Sequence, residues 1–125
     1  MRRLFVLPFA LLLLSTVACF NLNQDGDEGI HIGDDLITIT GNDYRESVEC
    51  SGQDVVVSGL HNSIDLQGSC ASLSVTGLGN DVQVDAVKVI TVTGKNNRVA
   101  WEQGDGGRSP VVNNTGTNNL VERGE

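Results

Sequence analysis

One pattern, repeated three times, leaves this chain few folds to choose from. Val55, Val57 and Gly59 are followed by Asn62, Ile64 and Leu66. Leu73, Val75 and Gly77 lead to Asn80, Val82 and Val84, and Ile90, Val92 and Gly94 lead to Asn97, Val99 and Trp101. The glycines fall 18 and then 17 residues apart, as do the asparagines. Alternation with period two marks a strand with one buried face. The Gly-x-x-Asn between two such strands is turn chemistry, because glycine permits positive φ and asparagine tolerates it while bonding its own backbone. A fixed short period means that each unit buries its apolar residues against its neighbours. The period is too short for a pair of helices and suits one coil of a β-solenoid.

Coils stacked about 4.8 Å apart place like residues over like. Val55, Leu73 and Ile90 then form one inner column, and Leu66, Val84 and Trp101 another. Asn62, Asn80, Asn97 and Asn119, with Gly59, Gly77, Gly94 and Gly116, become a structural ladder at the turn. Stacked amides can satisfy one another and the turn carbonyls. The repeat itself explains the asparagines, so they are read as structure rather than as a row of ligand contacts.

Leu36 to Gly41 matches the first strand of a unit, but Tyr44 stands where asparagine is expected and Val48 comes late. Val112 to Val121 matches again, with Asn114 at an inner position, and is expected to cap the solenoid end with polar groups. Between them, Glu102 to Pro110 reads as an inserted surface loop. The expected fold is all-β: a short, single-stranded β-helix of about four to five coils over residues 36–125. An antiparallel β-sandwich is the alternative, since the same alternation would serve it.

The N-terminus reads as export machinery. Arg2 and Arg3 precede an apolar run from Leu4 to Leu14, and small residues follow. This is the pattern of a signal peptide over residues 1–18, too short to span a membrane. Small residues before Cys19 resemble a bacterial lipobox, which would make Cys19 the lipid-modified first residue of the mature chain. Cleavage after Ala18 without lipid, leaving a secreted protein, is the alternative. Phe20 rather than aspartate after the cysteine points to the outer membrane if the cell has two. Residues 19–35, rich in Asp and Gly, read as a lipidated end and a flexible acidic tether.

The chain carries a net charge of −8. Removing Arg2 and Arg3 with the signal peptide leaves 6 bases against 16 acids, or −10. Such a balance disfavours nucleic acid and anionic lipid head groups as electrostatic partners. With Cys19 lipidated, Cys50 and Cys70 remain in an oxidising compartment, one coil apart, and a disulfide between them is expected. Cys70 also aligns with Val87, so it could simply be an inner apolar residue.

No catalytic constellation is visible. His31 and His61 lack partners at metal-ligand spacing and read as exposed loop residues. Asp65, Asp85 and Glu102 project outward from second strands, as a solvated face would. No enzyme activity, cofactor or metal is expected. The outward positions of the first strands are Thr38, Thr40, Val56, Ser58, Ser74, Thr76, Thr91 and Thr93. They form a candidate binding face for a glycan or protein, with a resemblance to ice-binding faces; good strand propensity alone would also place them there. Trp101 is expected to plug the core beside the loop, and Tyr44 to be the exposed aromatic.

The cysteine-bearing run Val48 to Gly52, the Gly68-Ser69-Cys70 segment, and the Gly-x-x-Asn units through Trp101, Pro110 and Gly116 to Asn119 together resemble a bacterial family known only as domain of unknown function 3060. The resemblance spans roughly Val48 to Val121. It implies a small exported or lipid-anchored protein and carries over no catalytic residue. The expected role is a non-catalytic, lipid-anchored envelope protein that binds an envelope protein or glycan through its β face. A self-associating structural module is the alternative, and a glycan hydrolase is the less favoured one.

Overall fold

The computed structural model describes residues 29–124. The expected signal peptide, the expected lipidation of Cys19 and the part of the expected tether up to residue 28 lie outside the described residues.

Nine strands carry the fold among the described residues. They are β1 (Gly29–Ile32), β2 (Leu36–Asn42), β3 (Arg45–Ser51), β4 (Asp54–Leu60), β5 (Ser63–Val75), β6 (Asp81–Val92), β7 (Arg98–Gln103), β8 (Val111–Asn114) and β9 (Leu120–Arg123). A single 3-10 turn, Asp105–Gly107, interrupts the loop before β8.

The alternation expected from sequence builds two stacked rows of parallel strands. One row runs β2, β4, the second half of β5, the second half of β6, then β8. The other runs β3, the first half of β5, the first half of β6, β7, then β9. The chain alternates between the rows, so it winds as a parallel β-solenoid of about 5 turns. Parallel pairing of successive coils is incompatible with the antiparallel sandwich. β5 and β6 each bend from one row into the other near Gly68 and Asp85, where the register of the two strands shifts.

The inner columns are apolar and closed to solvent. Ile37, Val55, Leu73 and Ile90 stack in register, as do Ile39, Val57, Val75 and Val92. Every one of these side chains is buried. In the other row, Val48, Leu66, Val84 and Trp101 share a column. Val48 is therefore in register and not late. The irregular residue is Glu46, which stands opposite Ile64 and stays exposed because no coil precedes it there.

Strand structure is also present ahead of the boundary expected at residue 36. Ile30 and Ile32 belong to β1, which pairs antiparallel with β2 across Ile39 and Ile37. His31 thus lies on a strand rather than in a loop. The short Ile-His-Ile alternation was masked by the acidic residues around it.

Candidate functional site

Three places bear on function: the corner, the two outward faces, and the cleft under the inserted loop.

At the corner, Asn62, Asn80 and Asn97 are buried. Each amide reaches back toward the preceding coil. Asn80 Nδ2 donates to Gly59 O and Thr76 O, both at 3.1 Å. Its Oδ1 accepts the Asn62 backbone N–H at 3.0 Å. Asn97 repeats this with Gly77 O, Thr93 O and the Asn80 N–H. Asn119 Nδ2 donates to Gly94 O, and its Oδ1 accepts the Asn97 N–H. The glycines are required by this approach. A Cβ on Gly77 or Gly94 would collide with the glycine carbonyl of the coil before it. The rung asparagines do not themselves take positive φ; the residue before each corner position does, at Asp43, His61, Gly79, Asn96 and Asn118, as do the corner glycines Gly59, Gly77 and Gly94. The amides are consumed by the backbone, which leaves them no donor for a ligand.

The first coil closes this ladder differently. The Tyr44 N–H donates to Asn62 Oδ1 at 2.9 Å, while the Tyr44 ring packs where a Gly41 side chain would be. Tyr44 is a half-buried terminator, not the free aromatic expected from sequence. Cys50 and Cys70 are joined by a disulfide, with Cα atoms 5.1 Å apart. Cys50 stands opposite Gly68 rather than Cys70. A side chain at Gly68 would strike the Cys50 carbonyl, and the bridge runs diagonally past it to the second inward position along β5.

The two outward faces differ in chemistry. The β2–β4–β5–β6–β8 face carries Thr38, Val56, Ser74, Thr91 and Asn113 as one column in register. Thr40 and Ser58 begin the next column, where Ser58 Oγ lies 3.4 Å from Thr40 Oγ1. Thr76 and Thr93 continue it, their N–H groups donating to Val57 O and Val75 O. Charge on this face is confined to its margins: Asp54, which accepts from Ser72 Oγ at 2.8 Å, exposed Lys88 on β6, and exposed Lys95, in register with Leu60 and Leu78. The opposite face presents Arg45, Glu49, Asp65, Asp81, Asp85, Arg98, Glu102 and Glu122.

The carboxylates singled out from sequence are gathered on that charged face. Asp65, Asp85 and Glu102 line a groove of about 660 Å³ with Glu122, Arg98 and Arg123. Its charges are largely engaged. Arg98 bonds Glu122 Oε1 at 3.0 Å and lies 3.6 Å from Asp81 Oδ1. Asp85 Oδ2 accepts the Gly68 N–H at the bend, at 3.1 Å. His61 sits at the corner, 4.0 Å from Asp43, with both side chains exposed.

A second cleft, of about 460 Å³, opens between the inserted loop and the last coil. Trp101 packs against the core as expected, but part of it remains exposed and lines this cleft. Arg123 stands over its ring at 5.7 Å. Sequence reading missed this cleft because it joins residues from β7, the loop and β9. The surviving signal was the pairing of the chain's single tryptophan with a glycine-rich insertion.

No curated protein and no solved structure matches the chain. From the second coil through the fifth corner, residues 57–118 match the model of the family described as "Protein of unknown function (DUF3060)", and this repeat region belongs to that family.

Proposed function

We propose that the protein is an exported, lipid-anchored envelope protein whose uncharged β face binds a protein or glycan partner without catalysis. The observation that carries the binding role is the contrast between the faces. One is packed with charge, as a solvated surface is. The other keeps hydroxyls and methyls in register over five parallel strands, with charge only at its margins, on Asp54, Lys88 and Lys95. Interface cores are depleted of charge in the same way, and a rigid row of side chains loses little entropy on binding. Anchoring is supported by the residues around Cys19 alone. The test is capture from native envelopes by the tagged mature protein, compared with a Ser74→Lys/Thr91→Lys variant. Recovery of a discrete partner that the variant loses supports the reading. Equal recovery by both proteins would remove the face from consideration.

A second reading, self-association, is favoured by the C-terminal end. There Val111, Val112 and Leu120 are exposed beside the outer edges of β8 and β9, and open edges invite pairing. Sedimentation that grows with concentration, and is abolished by Val112→Asp, is the expected outcome of that reading.

A further inference from the structure

The cleft under the inserted loop has a chemistry that the uncharged face lacks. Trp101, Arg108 and Arg123 line it, with Glu102, Gln103 and Ser109 around them. Its volume of about 460 Å³ falls within the range of small-ligand sites. In a chain of net charge −8, two guanidinium groups facing one cavity are a local reversal of sign.

Both guanidiniums keep unused donors, although Arg123 also stands over the Trp101 ring at 5.7 Å. Arg123 Nε donates to the Glu102 carbonyl at 3.2 Å, and its two Nη groups have no partner among the described residues. The Arg108 backbone N–H donates to Asp105 O at 3.1 Å, while its side chain has no hydrogen bond or ion pair among the described residues. Arg98, on the neighbouring groove, is by contrast tied to Glu122 and Asp81. Paired planar forks suit a carboxylate. The remaining lining offers both donors and acceptors, including the Glu102 carboxylate, and hydroxyl groups can use all of them. The exposed part of an indole is an apolar surface against which a ring can lie.

We propose that this cleft binds an acidic saccharide. The carboxylate is held by Arg108 and Arg123, the hydroxyls by Glu102, Gln103 and Ser109, and a sugar ring lies against Trp101. The cleft is separate from the uncharged face, so its failure leaves the reading of that face standing.

Trp101 is the only tryptophan of the chain, so intrinsic fluorescence reports this cleft directly. The experiment is a titration of the mature protein with digalacturonic acid, with neutral galactobiose and inorganic phosphate as comparisons. The expected result is a saturable change in emission with the acid alone. It should weaken about tenfold or more in Arg108→Ala, from loss of a charged hydrogen bond. That variant should keep the wild-type melting temperature, because the Arg108 side chain makes no hydrogen bond or ion pair among the described residues. A flat titration at millimolar acid, confirmed by calorimetry, would overturn the proposal. So would an equal response to galactobiose or phosphate, or undiminished binding by Arg108→Ala.

Discussion

The two ends of the solenoid solve the same problem in different ways. Each coil lends its neighbours backbone partners and apolar contacts, so the first and last coils each have one side without a neighbour. At the N-terminal end, β1 turns back antiparallel and covers β2, with Ile30 packed against the core. Tyr44 ends the ladder with a ring, and the disulfide ties β3 to β5. At the C-terminal end no strand follows β8 and β9 among the described residues, and every residue of β8 is exposed. Asn114, expected to cap this end, donates to Asn119 O at 3.1 Å, but Val111 and Val112 remain open beside it. The cap is therefore polar at one corner only.

The ladder's direction explains part of this difference. Every rung reaches toward the N-terminus, so each coil is satisfied by the one after it. The Asn97 N–H has Asn119 Oδ1 at 2.9 Å, whereas the Asn119 N–H has no acceptor among the described residues. A repeat with polar rungs can be closed at its start by a residue that only donates its N–H, as Tyr44 does. Its last rung needs an acceptor from outside, and water supplies one at an exposed end.

The largest effect that would sharpen this comparison lies in the middle of the ladder. Asn80→Asp loses the Nδ2 bonds to Gly59 O, Thr76 O and Asn97 Oδ1 and buries a charge. A loss of about 3–5 kcal/mol is expected in urea unfolding. Asn119→Asp, at the open end, should cost about 1 kcal/mol. Equal costs would mean that the ladder does not draw its strength from burial.

Next comes the covalent staple. Replacing Cys50 and Cys70 together by serine opens a loop with a sequence separation of 20 and should cost about 3 kcal/mol. Hydrogen exchange in the variant should quicken first in β3 and the start of β5, leaving β7 and β9 at wild-type rates. Uniform quickening would show that the coils unfold as one unit.

The smallest contrast compares the two end strands directly. Ile30→Asp puts a carboxylate against the core and should cost about 2 kcal/mol. Val112→Asp, already 41% exposed, should change the stability of the monomer by under about 0.5 kcal/mol. If the two variants lose stability equally in thermal melts, the C-terminal end is covered in solution, and the distinction between a closed and an open end fails.

How much of this was readable in advance varied with the range of the interaction. The inner columns followed from alternation, because a parallel stack repeats whatever one coil does. Val48 looked misplaced only because Glu46 occupies an inner position, which an end coil tolerates and a middle coil would not. β1 was read as tether, since four residues with two isoleucines give too little pattern to stand out from neighbouring acids. Tyr44 looked exposed because nothing local indicates that its ring fills the space above Gly41.

The candidate site divides in the same way. The outward threonines and serines were legible as a face from period two alone. That this face is nearly free of charge, while the other carries the acids and arginines, needed the register of both rows. The Trp101 cleft was not legible, because Trp101, Arg108 and Arg123 come together only when the insertion folds beside the last coil.

The amino-acid sequence by itself determined the coil. Its period, its inward residues and the glycine and asparagine of each corner are local facts that a strand–turn–strand unit must obey. Only the tertiary structure decided how the stack ends. The direction of the ladder, the antiparallel return of β1, the diagonal path of the disulfide and the cleft around Trp101 depend on which neighbour a coil has or lacks. A repeat encodes contacts between like units; at its ends, where one neighbour is missing, distant segments supply the partners.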